Sequence, residues 1–250
     1  LTLAERQALA QRWLAVARAV PVQVIVNVGA HCLPDAQALA AQAQQLGARA
    51  VAALAPSYFK PADVTALVDF MADLAAAAPE LPFYYYEIPT MTGVTVSPSE
   101  FLDRAAERIP NLAGLKFTSS NLMEYQLCRH LRDEAFDAVF GFDEMLLAAL
   151  ALGARGAVGS TYNFAAPIYQ RLIAAFHAGD LAAARREQFR AVRMIRVLAR
   201  YGFMAAAKVV MGLVGVDVGP ARLPLQSLTP DQTTRLRTEL ETLGFFDWIA

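Results

Sequence analysis

Lysine is scarce in this sequence. Among 250 residues it occurs three times, as Lys60, Lys116 and Lys208, although arginine is abundant. Cysteine is scarcer still: Cys32 and Cys128 are the two present, which excludes a disulfide scaffold or a thiolate metal site. Two ordinary thiols point to a reducing compartment, so the chain is expected to be cytoplasmic. His31, His130 and His177 are scattered, without a metal-like partner nearby, and no metal is predicted. No apolar run reaches the roughly 20 residues of a membrane span, and no signal peptide is visible, so no membrane partner is expected. The formal net charge of -1 excludes the basic field that nucleic-acid binding requires. Neither G-x-G-x-x-G nor a P-loop occurs, which argues against a doubly wound nucleotide-binding domain.

What is present is a compact, 56% hydrophobic chain with an alternating pattern. It opens on a helix that Thr2 and Glu5 start with a capping box, running to Arg18. Strands are then predicted at 22–28, 50–55, 81–86, 112–118, 138–142 and 156–160, with helices at 34–46, 61–78, 97–108, 121–131 and 143–152 between them. From about 164 the chain turns wholly helical, at 164–178, 180–200, 203–214 and 230–243. Parallel neighbours need crossover connections, so strict alternation predicts an α/β fold with a parallel sheet, and near-continuous apolar strands predict burial on both faces. The architecture this favours is a (β/α)8 TIM barrel lacking its first two strands in this chain, with a C-terminal helical extension. Residues 1–163 would carry strands 3 to 8 of the barrel and 164–250 its last helix and the extension, all packed as one domain. A helix placed first with no strand before it fits this reading, and the two opening strands are expected upstream of Leu1.

In such barrels chemistry sits at the C-terminal ends of strands, and unusual polar residues fall there. Tyr86 closes one strand, Lys116 and Thr118 another, Asp143 and Glu144 follow the next, and Ser160 with Thr161 ends the last. Residues two apart share a strand face, so Lys116 and Thr118 point the same way. A lysine desolvated in apolar surroundings can lose its proton and become a nucleophile, which arginine cannot do. Each residue also has an ordinary alternative: Lys116 snorkelling to solvent, Tyr86 as core, Asp143 and Glu144 as helix-start acids, Ser160 as a turn hydroxyl.

Taken in order, Tyr86-Glu-Ile-Pro89, Gly114-Leu-Lys-Phe-Thr118, Gly141-Phe-Asp-Glu144 and Gly159-Ser-Thr-Tyr-Asn163 resemble the pyruvate-dependent class I aldolases, the N-acetylneuraminate lyase and dihydrodipicolinate synthase family. The resemblance covers essentially the whole chain. Where a synthase of that family has an arginine soon after the tyrosine and proline, this sequence has Thr90-Met91-Thr92, and the remaining motifs resemble the sialic acid lyase branch. The resemblance implies that Lys116 forms a Schiff base with the C2 ketone of a sugar acid. Tyr86 would take the C4 hydroxyl proton as C3–C4 breaks, releasing N-acetylmannosamine and pyruvate. It further implies that Thr118 orients substrate or lysine, that Asp143 and Glu144 bind sugar hydroxyls, that Ser160 binds the glycerol end, and that Gly141 offers its carbonyl. No cofactor is implied beyond the covalent Schiff base of pyruvate on Lys116. The implied partner is a small sugar-acid substrate, and Tyr58, in the loop from which relatives reach a neighbouring subunit, implies a homotetramer. Two alternatives stay open: an aldolase for another 2-keto-3-deoxy sugar acid, and a truncated, catalytically silent relative. The family's Gly-Ser-Thr-Gly-Glu motif, which holds the pyruvate carboxylate, has no counterpart in this sequence.

Overall fold

The computed structural model describes all 250 residues, which divide into two compact units, Leu1–Gly141 and Phe142–Ala250. The sequence suggested a change between 163 and 164, where predicted strands give way to helices only.

The first unit alternates helices and strands: α1 (Leu3–Ala17), β1 (Ile25–Asn27), α2 (Leu33–Gln45), β2 (Ala50–Leu54), α3 (Val64–Ala75), β3 (Phe83–Glu87), the short α4 (Pro89–Thr92), α5 (Pro98–Arg108), β4 (Leu112–Phe117), α6 (Leu122–His130) and β5 (Asp137–Phe140). The sheet order is β1-β2-β3-β4-β5 with every neighbour parallel, as helical crossovers between successive strands dictate. Helix starts are set by local chemistry. Thr2 and Glu5 form the expected capping box, and the Ser97 and Asn121 side chains accept from the amides of Glu100 and Glu124, each satisfying an otherwise orphaned donor.

The two faces of this sheet differ. Phe83, Tyr85 and Glu87 of β3 and Leu115 and Phe117 of β4 are buried on the helix-covered side. There Tyr85 packs on Phe101 of α5 at 4.4 Å between ring centroids and Phe117 on Tyr125 of α6 at 5.3 Å. The Tyr125 hydroxyl donates to the Ala138 carbonyl at 2.9 Å. Each such aromatic contributes roughly 1.5–3 kcal/mol by burial. On the opposite face Tyr84, Tyr86 and Lys116 are half-buried. This corrects the expectation of two fully buried faces, because the near-continuous apolar look of β3 comes from tyrosines whose polar ends need not be buried.

The second unit is helical: a 3-10 turn (Asp143–Met145), α7 (Leu146–Ala151), α8 (Tyr162–His177), α9 (Leu181–Arg200), α10 (Phe203–Leu213), α11 (Pro230–Leu243) and α12 (Phe245–Ile249). Ile168, Leu172, Met194, Leu198, Val210 and Leu240 lie in its core. α8 is kinked near its start, where Ala165 has φ -131° and Pro167 lies inside the helix; proline removes a donor and crowds the preceding turn. The predicted sixth strand at 156–160 is absent, and Ala157 alone makes a β-bridge. Two glycines, Gly156 and Gly159, in a five-residue stretch deny it the side-chain packing a strand needs. No helix is long and apolar enough to cross a membrane.

Candidate active site

The first unit brings four of the predicted residues together at the C-terminal ends of β3, β4 and β5. Tyr86 and Lys116 are register partners across β3 and β4. The register slips between Phe83 and Tyr84, so Tyr84 pairs with Gly114 rather than Ala113, a bulge of the kind glycine accommodates. That slip puts Tyr86 and Lys116 side by side on one face, and Lys116 Nζ lies over the Tyr86 ring, 4.0 Å from its centroid. The contact keeps an amine and a phenol in one half-buried recess.

Thr118 follows β4, and its amide donates to the main-chain carbonyl of Glu87 at 3.0 Å. It is buried, and its Oγ1 has no hydrogen-bond partner, a cost of about 1–3 kcal/mol for a hydroxyl shielded from water. Gly141 closes the recess. A Cβ there would stand 2.1 Å from Thr118 Oγ1 and 3.0 Å from Lys116 Cε, so no side chain fits without moving both. The Gly141 amide donates to Phe117 O at 2.7 Å, which fixes this close approach.

Glu87, given no role by the sequence reading, is the residue that reading missed. It is 6% exposed, and its Oε2 accepts from the Thr118 amide at 2.9 Å. Burial pushes its carboxyl up to about 7, against the pull of the Thr118 bond and with help from the nearby Glu124 charge. The signal was available: Phe83, Tyr85 and Glu87 alternate on one face, which places an acid on the buried side of the strand.

In the second unit Asp143, Gly159 and Thr161 form a tight group. Asp143 is buried, and its Oδ2 accepts from the Thr161 amide at 3.0 Å and from Thr161 Oγ1 at 2.6 Å. Thr161 Oγ1 also meets the Tyr169 hydroxyl at 2.5 Å. A Cβ on Gly159 would fall 1.5 Å from Asp143 Oδ1, so glycine is required for the turn to reach the carboxylate. Asp143 therefore ties the Gly159–Thr161 turn to the start of the 3-10 segment. Glu144 is half-buried, its carboxyl raised by burial and by the Asp143 charge despite a backbone hydrogen bond. Ser160, at the head of the turn, is exposed. Thr161, completely buried, is a second residue to which the sequence reading gave no role.

With this geometry in hand, comparison with known proteins is specific. The family model described as the dihydrodipicolinate synthetase family matches residues 1–243. The chain is similar to the N-acetylneuraminate lyase of Rattus norvegicus, 41% identical over 253 residues covering 99% of this chain and 78% of the relative. Among solved structures it is similar to the N-acetylneuraminate lyase of Aliivibrio salmonicida, 42% identical with a TM-score of 0.94, covering 98% of this chain and 81% of that one. The Proteus mirabilis N-acetylneuraminate lyase is 38% identical, also at a TM-score of 0.94, with 98% and 82% covered. This chain belongs to the dihydrodipicolinate synthetase family.

Proposed function

We propose that the chain is a class I aldolase that cleaves N-acetylneuraminate reversibly to N-acetylmannosamine and pyruvate. The observation that carries this reading is the register pair of Lys116 and Tyr86, with Nζ 4.0 Å from the ring centroid, in a chain about two-fifths identical to proteins of that name. Lys116, as the free amine, adds to the C2 ketone of the open-chain sugar acid and expels water to give an iminium, an electron sink adjacent to the bond that breaks. The C4 hydroxyl gives its proton to the Tyr86 phenol oxygen, whose own proton passes to the substrate carboxylate, as the C3–C4 bond electrons move into the iminium. N-acetylmannosamine leaves with its new aldehyde, and an enamine of pyruvate stays on Lys116. Protonation at C3 and addition of water return pyruvate and the free lysine, so the water lost at the start is restored.

The remaining residues divide by chemistry. Thr118, with its unpartnered buried hydroxyl, orients the Schiff base or substrate. The Gly141 carbonyl accepts from substrate, Asp143 and Glu144 accept from sugar hydroxyls, and Ser160 meets the glycerol end. The covalent Schiff base of pyruvate on Lys116 needs no metal or organic cofactor. Parallel β/α repeats support an eightfold β/α barrel, to which residues 1–163 contribute part of the strands and 164–250 the last helix and a helical extension. Tyr58 and Phe59, 79% and 85% exposed and stacked edge to face, suit an intersubunit contact in a homotetramer.

Pyruvate release from N-acetylneuraminate tests the function. The protein is expected to release it and the Lys116→Arg variant to release none, since a guanidinium cannot serve as this nucleophile. Faster turnover of 2-keto-3-deoxygluconate would move the assignment to another sugar acid, which the absence of an arginine at Thr90–Thr92 also accommodates. Release from neither substrate by folded protein would overturn the aldolase reading.

A further inference from the structure

We propose that Glu87 is a positioning residue for Lys116: from the helix-covered side of the sheet its carboxylate holds the Thr118 amide and so fixes the strand end that carries Lys116. The inference rests on the aldolase reading of Lys116. Thr118 lies one residue past β4, and the hydrogen bonds of its amide go to Glu87 alone, to the main-chain oxygen at 3.0 Å and to Oε2 at 2.9 Å. On the other side of the strand Thr118 Oγ1 abuts Gly141, which in turn abuts Lys116 Cε. A shift of the Thr118 amide therefore passes directly into the packing around the lysine stem.

The surroundings of Glu87 make this hold sensitive to its proton. Three titratable groups act on or feel its charge: Glu124 and Cys128 of α6 and Tyr85 of its own strand. Glu124 is already committed, its Oε1 accepting from the Ser97 and Ser99 hydroxyls at 2.7 and 2.6 Å and from the Ser99 amide at 3.1 Å. The 94–98 segment and the buried Phe117 bring no charge, so no cation compensates the carboxylate. A pocket of about 320 Å³ lined by Glu87, Val96, Pro98, Ser119, Asn121 and Glu124 gives the carboxyl a path to water. Ionised, Glu87 makes a charge-assisted bond to Thr118; protonated, a weaker neutral one.

The test is the rate of borohydride trapping of the pyruvate Schiff base on Lys116, measured from pH 6 to 8.5 in the parent, Glu87→Gln and Glu87→Ala, with thermal melts at each pH. The ratio of parent to Glu87→Gln rates is expected to change about threefold or more, with its midpoint near 7. At pH 6, Glu87→Ala is expected to trap about tenfold more slowly than the parent, and Glu87→Gln to recover to within about threefold. A ratio flat with pH, or a well-folded Glu87→Ala that traps at the parent rate, overturns the positioning role. Should Glu87→Ala fail to fold, the glutamine comparison decides. A parent that is not trapped overturns the aldolase reading and this inference with it, whereas a trapped parent with a flat ratio overturns the inference alone.

Discussion

Of the three lysines, Lys60 is in a loop, Lys208 in α10 and Lys116 in a β-strand, and Lys116 is the one with a phenol as register partner. Its setting depends on a residue that contributes no side chain. Gly141→Ala would put a methyl group 2.1 Å from Thr118 Oγ1, and overpacking of that kind costs about 1–3 kcal/mol. We expect aldol cleavage to fall at least about tenfold while the variant still melts cooperatively, because a small misplacement at a reacting centre costs far more in rate than in stability; paired kinetics and calorimetry check this. Glu87 gives a second prediction. Its carboxyl stands near 4.5 ordinarily and at about 7 in the fold, so between these values the folded state keeps a proton that the unfolded chain has released. Its contribution to stability is thus intact below about 4.5, declines as pH rises, and is lower by about 3 kcal/mol above 7. Denaturation of the parent and Glu87→Gln at pH 5 and 8 should show the variant gaining about 2 kcal/mol on the parent over that interval; an unchanged gap contradicts the assignment. The strand-end positions of Lys116 and Tyr86 were legible, and the scarcity of lysine singled out Lys116. Glu87 was legible only as an acid on the buried face of its strand, by its alternation with Phe83 and Tyr85, and Thr161 not at all, since a threonine acquires such a role only from what is packed around it.

The strand pair β3–β4 and the turn Gly159–Thr161 do different work. In the first, a one-residue bulge sets which side chains face each other, and no sequence pattern announced it. In the second, Asp143 binds the turn by two hydrogen bonds to Thr161 while exposing Ser160 at its head. Asp143→Ala removes the acceptor of the buried Thr161 amide, at about 1–3 kcal/mol for the group left unsatisfied, while Thr161 Oγ1 keeps the Tyr169 hydroxyl. Ser160→Ala should leave stability within about 0.5 kcal/mol and raise KM for N-acetylneuraminate. Urea denaturation with steady-state kinetics on both variants separates them; equal destabilisation would contradict the division between a tying aspartate and an exposed hydroxyl. The five strands observed were all legible from apolar runs bounded by glycine and proline. The segment 156–160 was misread because an apolar run that carries two glycines looks like a strand by hydropathy and lacks the side chains to behave as one.

At the scale of the whole molecule, the alternation dictates that neighbouring strands are parallel, whereas strand order equal to chain order distinguishes this sheet from a doubly wound one with the same alternation. The division at Gly141 and Phe142 was not legible, since it falls inside a motif whose residues read as one continuous strand-to-helix junction. In the proposed homotetramer the exposed pair Tyr58 and Phe59 forms the subunit contact. Light scattering of the parent should give the mass of a tetramer and that of a Tyr58→Ala, Phe59→Ala double variant a smaller one; an unchanged tetramer would exclude this loop from the interface. The central claim is that one lysine carries the chemistry, and peptide mapping after incubation with pyruvate and borohydride tests it most directly. The account predicts a single reduced pyruvyl adduct, on Lys116, with Lys60 and Lys208 unmodified; folded protein with Lys116 unmodified, or an adduct spread over all three lysines, would contradict it.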